Sequence, residues 1–110
     1  MLFVNLEHFA LRSRTDIETI ARTVEEKLAG LDKRVYAIVN YDRFSITPEL
    51  VDEYIGMVKG LMDRHYNAVT RYTANTFLRM KLGEALEKHA IAPRIYERAD
   101  EAEGGLRGGS

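Results

Sequence analysis

The chain has 110 residues, 45% of them hydrophobic and 30% charged, with a formal net charge of −1; this is the balance of one small globular domain with apolar mass for its own core. Its 16 Lys and Arg against 17 Asp and Glu leave no cationic surplus for coating phosphates, which argues against general nucleic-acid binding. Without cysteine there is no disulfide, thiol nucleophile or thiolate metal site, which fits a reducing, cytoplasmic setting.

The opening "MLFVNLEHFALRSR" is interrupted by Glu7 and His8 and lacks the basic segment and long apolar run of a signal peptide. No stretch reaches the roughly 18 apolar residues of a membrane span. Residues 2–12, "LFVNLEHFALR", are rich in β-formers and predict one long strand, or a tight hairpin pivoting near Glu7-His8. In the next segment Ile17, Ile20, Ala21, Val24, Leu28 and Leu31 share one helical face,. Thr15 with Glu18 has the spacing of a capping box, and Gly30 suits the exit of this first helix.

"RVYAIVNY" (34–41) is a nearly continuous apolar run, the signature of a central strand covered on both faces. Thr47-Pro48 predicts a helix start, with Thr47 as cap and Pro48 where no N–H is needed. That helix should run to about Tyr66. Gly56 and Gly60, four apart on one of its faces, are expected to allow close approach of a neighbour. "AVTRYT" (68–73) reads as a third strand, "TFLRMKLGEALEKHAI" (76–91) as a third helix capped by Asn75, and "PRIYER" (93–98) as a short edge strand,. No internal repeat is expected.

The order β(β)αβαβαβ predicts a single layered α/β domain over 1–103, with a mostly parallel sheet of four to five strands and three main helices. Residues 104–110 read as a flexible Gly-rich tail or a remnant of cloning, and "ADEAE" as an added helical turn.

Two resemblances follow. The element order resembles STAS domains, the fold of bacterial anti-sigma-factor antagonists. More closely, "VNYDRFSITPELVDEY", "RHYNAVTRYTANTFLRMKLGEAL" and "APRIYERADEA" resemble the C-terminal extension of some bacterial acyl-CoA:acetate/3-ketoacid CoA-transferases, over about residues 2–103. That resemblance implies an accessory domain of a longer enzyme, with coenzyme A as the parent's cofactor and none in this domain. Such enzymes act through a glutamate that forms a thioester with CoA, in their catalytic halves. Glu49, Glu53 and Glu84 lie on expected helices without the Gly-rich surroundings of that glutamate, so no catalytic residue is assigned here.

Two segments are candidate binding sites. In "TRYTANTF", Arg71, Thr73, Asn75 and Thr76 sit where a strand meets a helix N-terminus, a place that favours anions such as the CoA phosphates. The plainer reading is a strand end and a helix cap, and no glycine lets the backbone wrap a phosphate. In "YDRFSITPE", Ser45 and Thr47 lie near the position phosphorylated in STAS switches, but Pro48 and Glu49 replace the small residues of that context, which favours Thr47 as a plain cap. His8, His65 and His89 have no ligand spacing, so no metal site is expected. Tyr36, Tyr41, Tyr54, Tyr66, Tyr72 and Tyr96 are expected mostly in the core, with an exposed Tyr-rich sheet face as a docking surface.

The leading expectation is a docking or regulatory domain whose partner is the catalytic part of its parent enzyme or another protein, with a homo-oligomer also compatible and no nucleic acid or membrane. The alternatives are a stand-alone STAS-like protein-binding switch and a small anion- or nucleotide-binding module.

Overall fold

Runs of β-branched and aromatic residues alternate with amphipathic helices, and in the computed structural model they fold as a parallel α/β domain. The structure describes residues 2–31 and 33–108. The elements are β1 (Leu2–Asn5), β2 (Ala10–Leu11), α1 (Arg14–Leu28), β3 (Val35–Asn40), β4 (Ser45–Ile46), α2 (Val51–His65), β5 (Tyr66–Tyr72), α3 (Thr76–Lys88) and α4 (Ala99–Gly108). One sheet has the order β1-β3-β5 with both pairings parallel, and β2 and β4 form a separate parallel pair. The expected sheet of four to five strands is thus divided in two, and the helices number four among the described residues.

Strand alternation decides what each sheet face covers. Val39 packs with Ile17, Ile20, Tyr54, Ile55 and Val58, and Ala37 with Val24, Leu28, Leu61 and Tyr66, so one face is closed by α1 and α2. On the other face Ile38 and Tyr72 pack with Ala102 of α4, and the Thr70 hydroxyl donates to the Ala102 carbonyl at 2.9 Å. That second face is covered only in part. Phe3, level with Ile38 in the register, and Tyr36 are each 50% exposed.

The sheet register overturns the expectation of a repeat-free chain. Val4 pairs with Val39 and Asn5 with Asn40 in one sheet, and Ala10 with Ser45 and Leu11 with Ile46 in the other, a constant offset of 35 residues. "VNLEHFAL" and "VNYDRFSI" are two copies of one strand–turn–strand unit, stacked on each other. The turns match in detail: Phe9 N–H donates to the Leu6 carbonyl at 3.0 Å and Phe44 N–H to the Tyr41 carbonyl at 3.1 Å. The Phe9 and Phe44 rings stack at 6.5 Å. No hairpin forms over 2–12, because the chain leaves the sheet at the turn and β2 pairs with β4 instead of folding back on β1.

Local chemistry places the helix ends, with some departures from expectation. Ser13, not Thr15, caps α1, in a reciprocal capping box with Asp16,. Thr47 precedes a 3-10 turn at Pro48–Leu50 and gives no side-chain cap. Asn75 does cap α3, accepting from Leu78 N–H at 3.0 Å. Arg34 ties the end of α2 to the start of β5, donating to the carbonyls of Met62, Asp63 and Tyr66 at 3.3, 2.7 and 3.2 Å,. Gly30 takes the left-handed φ of 86° expected at the α1 exit,. Gly56 admits no close neighbour: a Cβ there would meet open space, and one at Gly60 only the Arg64 side chain.

The final segment differs most. "PRIYER" forms no strand beyond a single bridge between Tyr72 and Tyr96. Pro93 has no N–H to pair, and Arg98 N–H is taken up by the Glu101 carboxylate at the start of α4. The expected tail is helical to Gly108, with residues 109 and 110 outside the described residues. Tertiary packing outweighs the poor helix propensity of Gly104 and Gly105. The missing Cβ of Gly105 is what lets the Tyr96 ring lie against the helix.

Candidate functional site

The residues of "TRYTANTF" do not converge on one anion. Arg71 is 3% exposed, and Nη2 lies 3.5 Å from Met62 Sδ on α2, inside the core and not at the N-terminus of α3. Thr73 is fully buried and its hydroxyl accepts from Asn75 N–H at 3.2 Å. Asn75 is occupied as the α3 cap. Thr76 remains exposed and its hydroxyl accepts from Arg79 Nη2 at 3.3 Å. The cation at this turn is Arg79, whose Nη1 donates to the Thr73 carbonyl at 2.9 Å and whose Nη2 reaches Glu97 at 3.5 Å. Sequence reading passed over Arg79, although it lies one helical turn beyond Asn75.

In a parallel sheet, ligands collect outside the carboxyl ends of the strands, and here a polar crest lies at those ends. The two stacked turns bring Glu7 and His8 beside Asp42 and Arg43. His8 N–H donates to the Asp42 carbonyl at 3.2 Å, and Arg43 Nη1 lies 3.5 Å from His8 Nε2. Asn40 Nδ2 donates to Asn5 Oδ1 at 3.1 Å and to Glu7 Oε1 at 3.3 Å. Asp42 Oδ1 accepts from Ala74 N–H at 2.8 Å, which ties the second turn to the start of α3. Glu7, Asp42, Arg43, Ala74 and Asn75 line an open cleft of about 540 Å3. Burial first, and then the carboxylates of Asp42 and Glu7, hold the Tyr72 phenol above its ordinary range,.

His8 and Arg43 both have left-handed backbone, with φ of 65° and 57°. Residues other than glycine adopt this at a cost, and such strain gathers at functional sites. The crest carries two carboxylates and is a poor receptor for phosphate groups. Sequence reading missed it, although the signal was present: each turn follows Val-Asn with a hydrophobic residue, then an acid, then a base, then Phe.

Ser45 lies in β4, and Thr47 just after it, ahead of the 3-10 turn Pro48–Leu50 that leads into α2, with no side-chain cap bond. Ser45 N–H donates to the Phe9 carbonyl and Thr47 N–H to the Leu11 carbonyl, both at 3.0 Å. The other two histidines join helices: His65 Nε2 and Arg64 Nη2 each lie 2.8 Å from the Glu25 carboxylate, and His89 Nε2 lies 3.5 Å from Asp52. Glu25 thus fastens α1 to α2. Hydrogen bonds from Arg64 and His65 hold its carboxyl below the usual range,. Among the described residues no cluster of three or more His, Asp or Glu is placed to hold a metal ion, and no helix is long and apolar enough to cross a membrane.

Comparison with protein-family models, with curated proteins and with solved structures gives no match to this chain.

Proposed function

We propose that this chain is a non-catalytic accessory domain, docking or regulatory, of a CoA-transferase-like enzyme, and that it meets its partner through the half-covered sheet face. The observation that carries the docking is the pair Phe3 and Tyr36, each half exposed, on the face that α4 covers elsewhere. Exposed aromatics beside a packed helix are what interface cores are built from.

The resemblance to the transferase extensions supports the same reading through what its blocks do here. Asp42 of "VNYDRF" holds Ala74 of "VTRYTANTF". Tyr96 of "IYE" donates its N–H to the Arg71 carbonyl at 2.8 Å and accepts from Thr73 N–H at 2.9 Å. Arg79 joins Thr73 to Glu97. The three blocks are committed to one another, as a scaffold requires. Coenzyme A then belongs to the catalytic halves of the parent enzyme.

The test is calorimetric titration of this chain with the catalytic halves of a transferase whose extension carries the same blocks. Association is expected, and Phe3→Asp combined with Tyr36→Asp should weaken it at least ~10-fold, about 1.4 kcal/mol, without lowering Tm. No association at ~100 μM of each component, a modest affinity on the usual scale, would sink the proposal. The chain alone should not exchange acyl groups between an acyl-CoA and acetate.

A further inference from the structure

Arg71 stands opposite Val39 of the central strand, so its guanidinium enters the apolar layer between sheet and helices. Its Nε has no hydrogen-bond partner among the described residues, and the contact of Nη2 is to a thioether, a weak acceptor,. Among the described residues no carboxylate forms an ion pair with it. An uncompensated charge at this depth is costly.

Beside Arg71 lies a small cavity of about 20 Å3, whose polar lining is Arg71 with Tyr41, Tyr54 and Tyr66. The Tyr41 and Tyr54 hydroxyls are 2.7 Å apart. Only one of their two protons fits between the oxygens, so the other must find an acceptor elsewhere. The Tyr66 phenol, like any tyrosine hydroxyl at neutral pH, carries a proton it can donate. The rest of the lining is apolar, with Val39, Val58, Leu61 and Val69 among it, so the guanidinium and the three phenols are the polar groups within reach of the cavity.

We infer that this cavity binds one small monovalent anion of the halide class, held by Arg71 Nε and the tyrosine hydroxyls. The volume suits a single particle about the size of water, which excludes sulfate, phosphate and carboxylates. Water would accept hydrogen bonds here but would bring two further donors and no charge. A halide only accepts, and it neutralises the guanidinium. This site is separate from the crest and from the N-terminus of α3, and it explains a cation in the core without an acidic partner.

The test is a thermal melt of the full chain in sodium bromide or chloride, against sodium gluconate at equal ionic strength, together with bromide anomalous diffraction. The expected result is a saturable halide-dependent rise in Tm of about 4–8 °C and an anomalous peak within hydrogen-bond distance of Arg71 Nε. Arg71→Met should abolish the rise. Should that variant not fold, Tyr54→Phe, which removes one donor and keeps the ring, should shrink the rise instead. Equal melting in halide and gluconate overturns the inference. So does a peak elsewhere, or a peak at Arg71 with no effect on Tm, which would mark an adventitious ion only.

Discussion

His8 and Arg43 occupy the same point of two stacked turns, with φ of 65° and 57° and side-chain nitrogens 3.5 Å apart. The equivalence follows from the register of both sheets, which places each residue of the first unit beside its counterpart in the second. Strain repeated at equivalent positions belongs to the turn itself, not to either side chain.

Substitution at these two positions should therefore give parallel results. His8→Gly and Arg43→Gly should each raise stability by up to about 1 kcal/mol, because glycine enters the left-handed region without penalty. Arg43→Val should lower it by about 1–2 kcal/mol. Urea denaturation measures all three. Glycine variants that destabilise at both positions would mean that the side chains hold the turns, contrary to the repeat argument.

The two expected caps should separate in the same assay. Asn75→Ala removes the acceptor of Leu78 N–H and should cost about 0.5–2 kcal/mol. Thr47→Ala removes no side-chain cap bond and should fall within about 0.5 kcal/mol of wild type. Phosphate, sulfate and CoA should leave the Tm of wild type and Asn75→Ala equally unmoved, since Arg71 is turned away from this turn. A CoA-dependent rise lost in Asn75→Ala would restore the anion reading.

Much of the scaffold was legible in the residues. The periodicity that placed Ile17, Ile20, Val24 and Leu28 on one face is the face α1 buries, and the apolar run of 34–41 is the middle strand. The capping box was misread by two residues because Ser13 and Thr15 both precede an acid at the right distance; Asp16, nearer the start, also receives Arg12 N–H. The depth of Arg71 was hidden by its charge. Val69 shares its strand face, so alternation alone pointed Arg71 at the helices. The repeat escaped because only Val, Asn and Phe are identical between the two units, while the acid–base pairs are merely similar. Its turn geometry shows only when the strands are paired.

High pH should reveal the buried phenols. Burial raises Tyr66 from an ordinary 10.0 to about 12 and Tyr54 well above its ordinary value. Between those limits the unfolded chain releases these protons and the folded chain keeps them, so ionisation favours unfolding. Stability is thus full below about pH 10 and declines as pH rises towards about 12. Urea midpoints across this range should fall, and Tyr66→Phe should make the fall shallower. A midpoint that stays level to pH 12 in wild type would show that Tyr66 ionises as readily folded as unfolded.

Adjacent glycines in α4 offer the sharpest test of the C-terminal helix. A Cβ at Gly104 would meet open space, whereas one at Gly105 would collide with the Tyr96 ring. Gly104→Ala should therefore stabilise by up to about 1 kcal/mol through helix propensity. Gly105→Ala gains the same propensity but must displace Tyr96, and should be net destabilising by about 1–3 kcal/mol. The displaced ring would also disturb its stacking under Arg94, whose guanidinium carbon lies 4.7 Å from the ring centroid, and its bridge to Tyr72. Adding Tyr96→Ala should remove the penalty at position 105, a coupling that a double-mutant cycle reads directly. If the two glycine variants melt alike, residues 104 and 105 do not pack as a helix against the Tyr96 ring, and Ala102 alone anchors α4 over Ile38 and Tyr72.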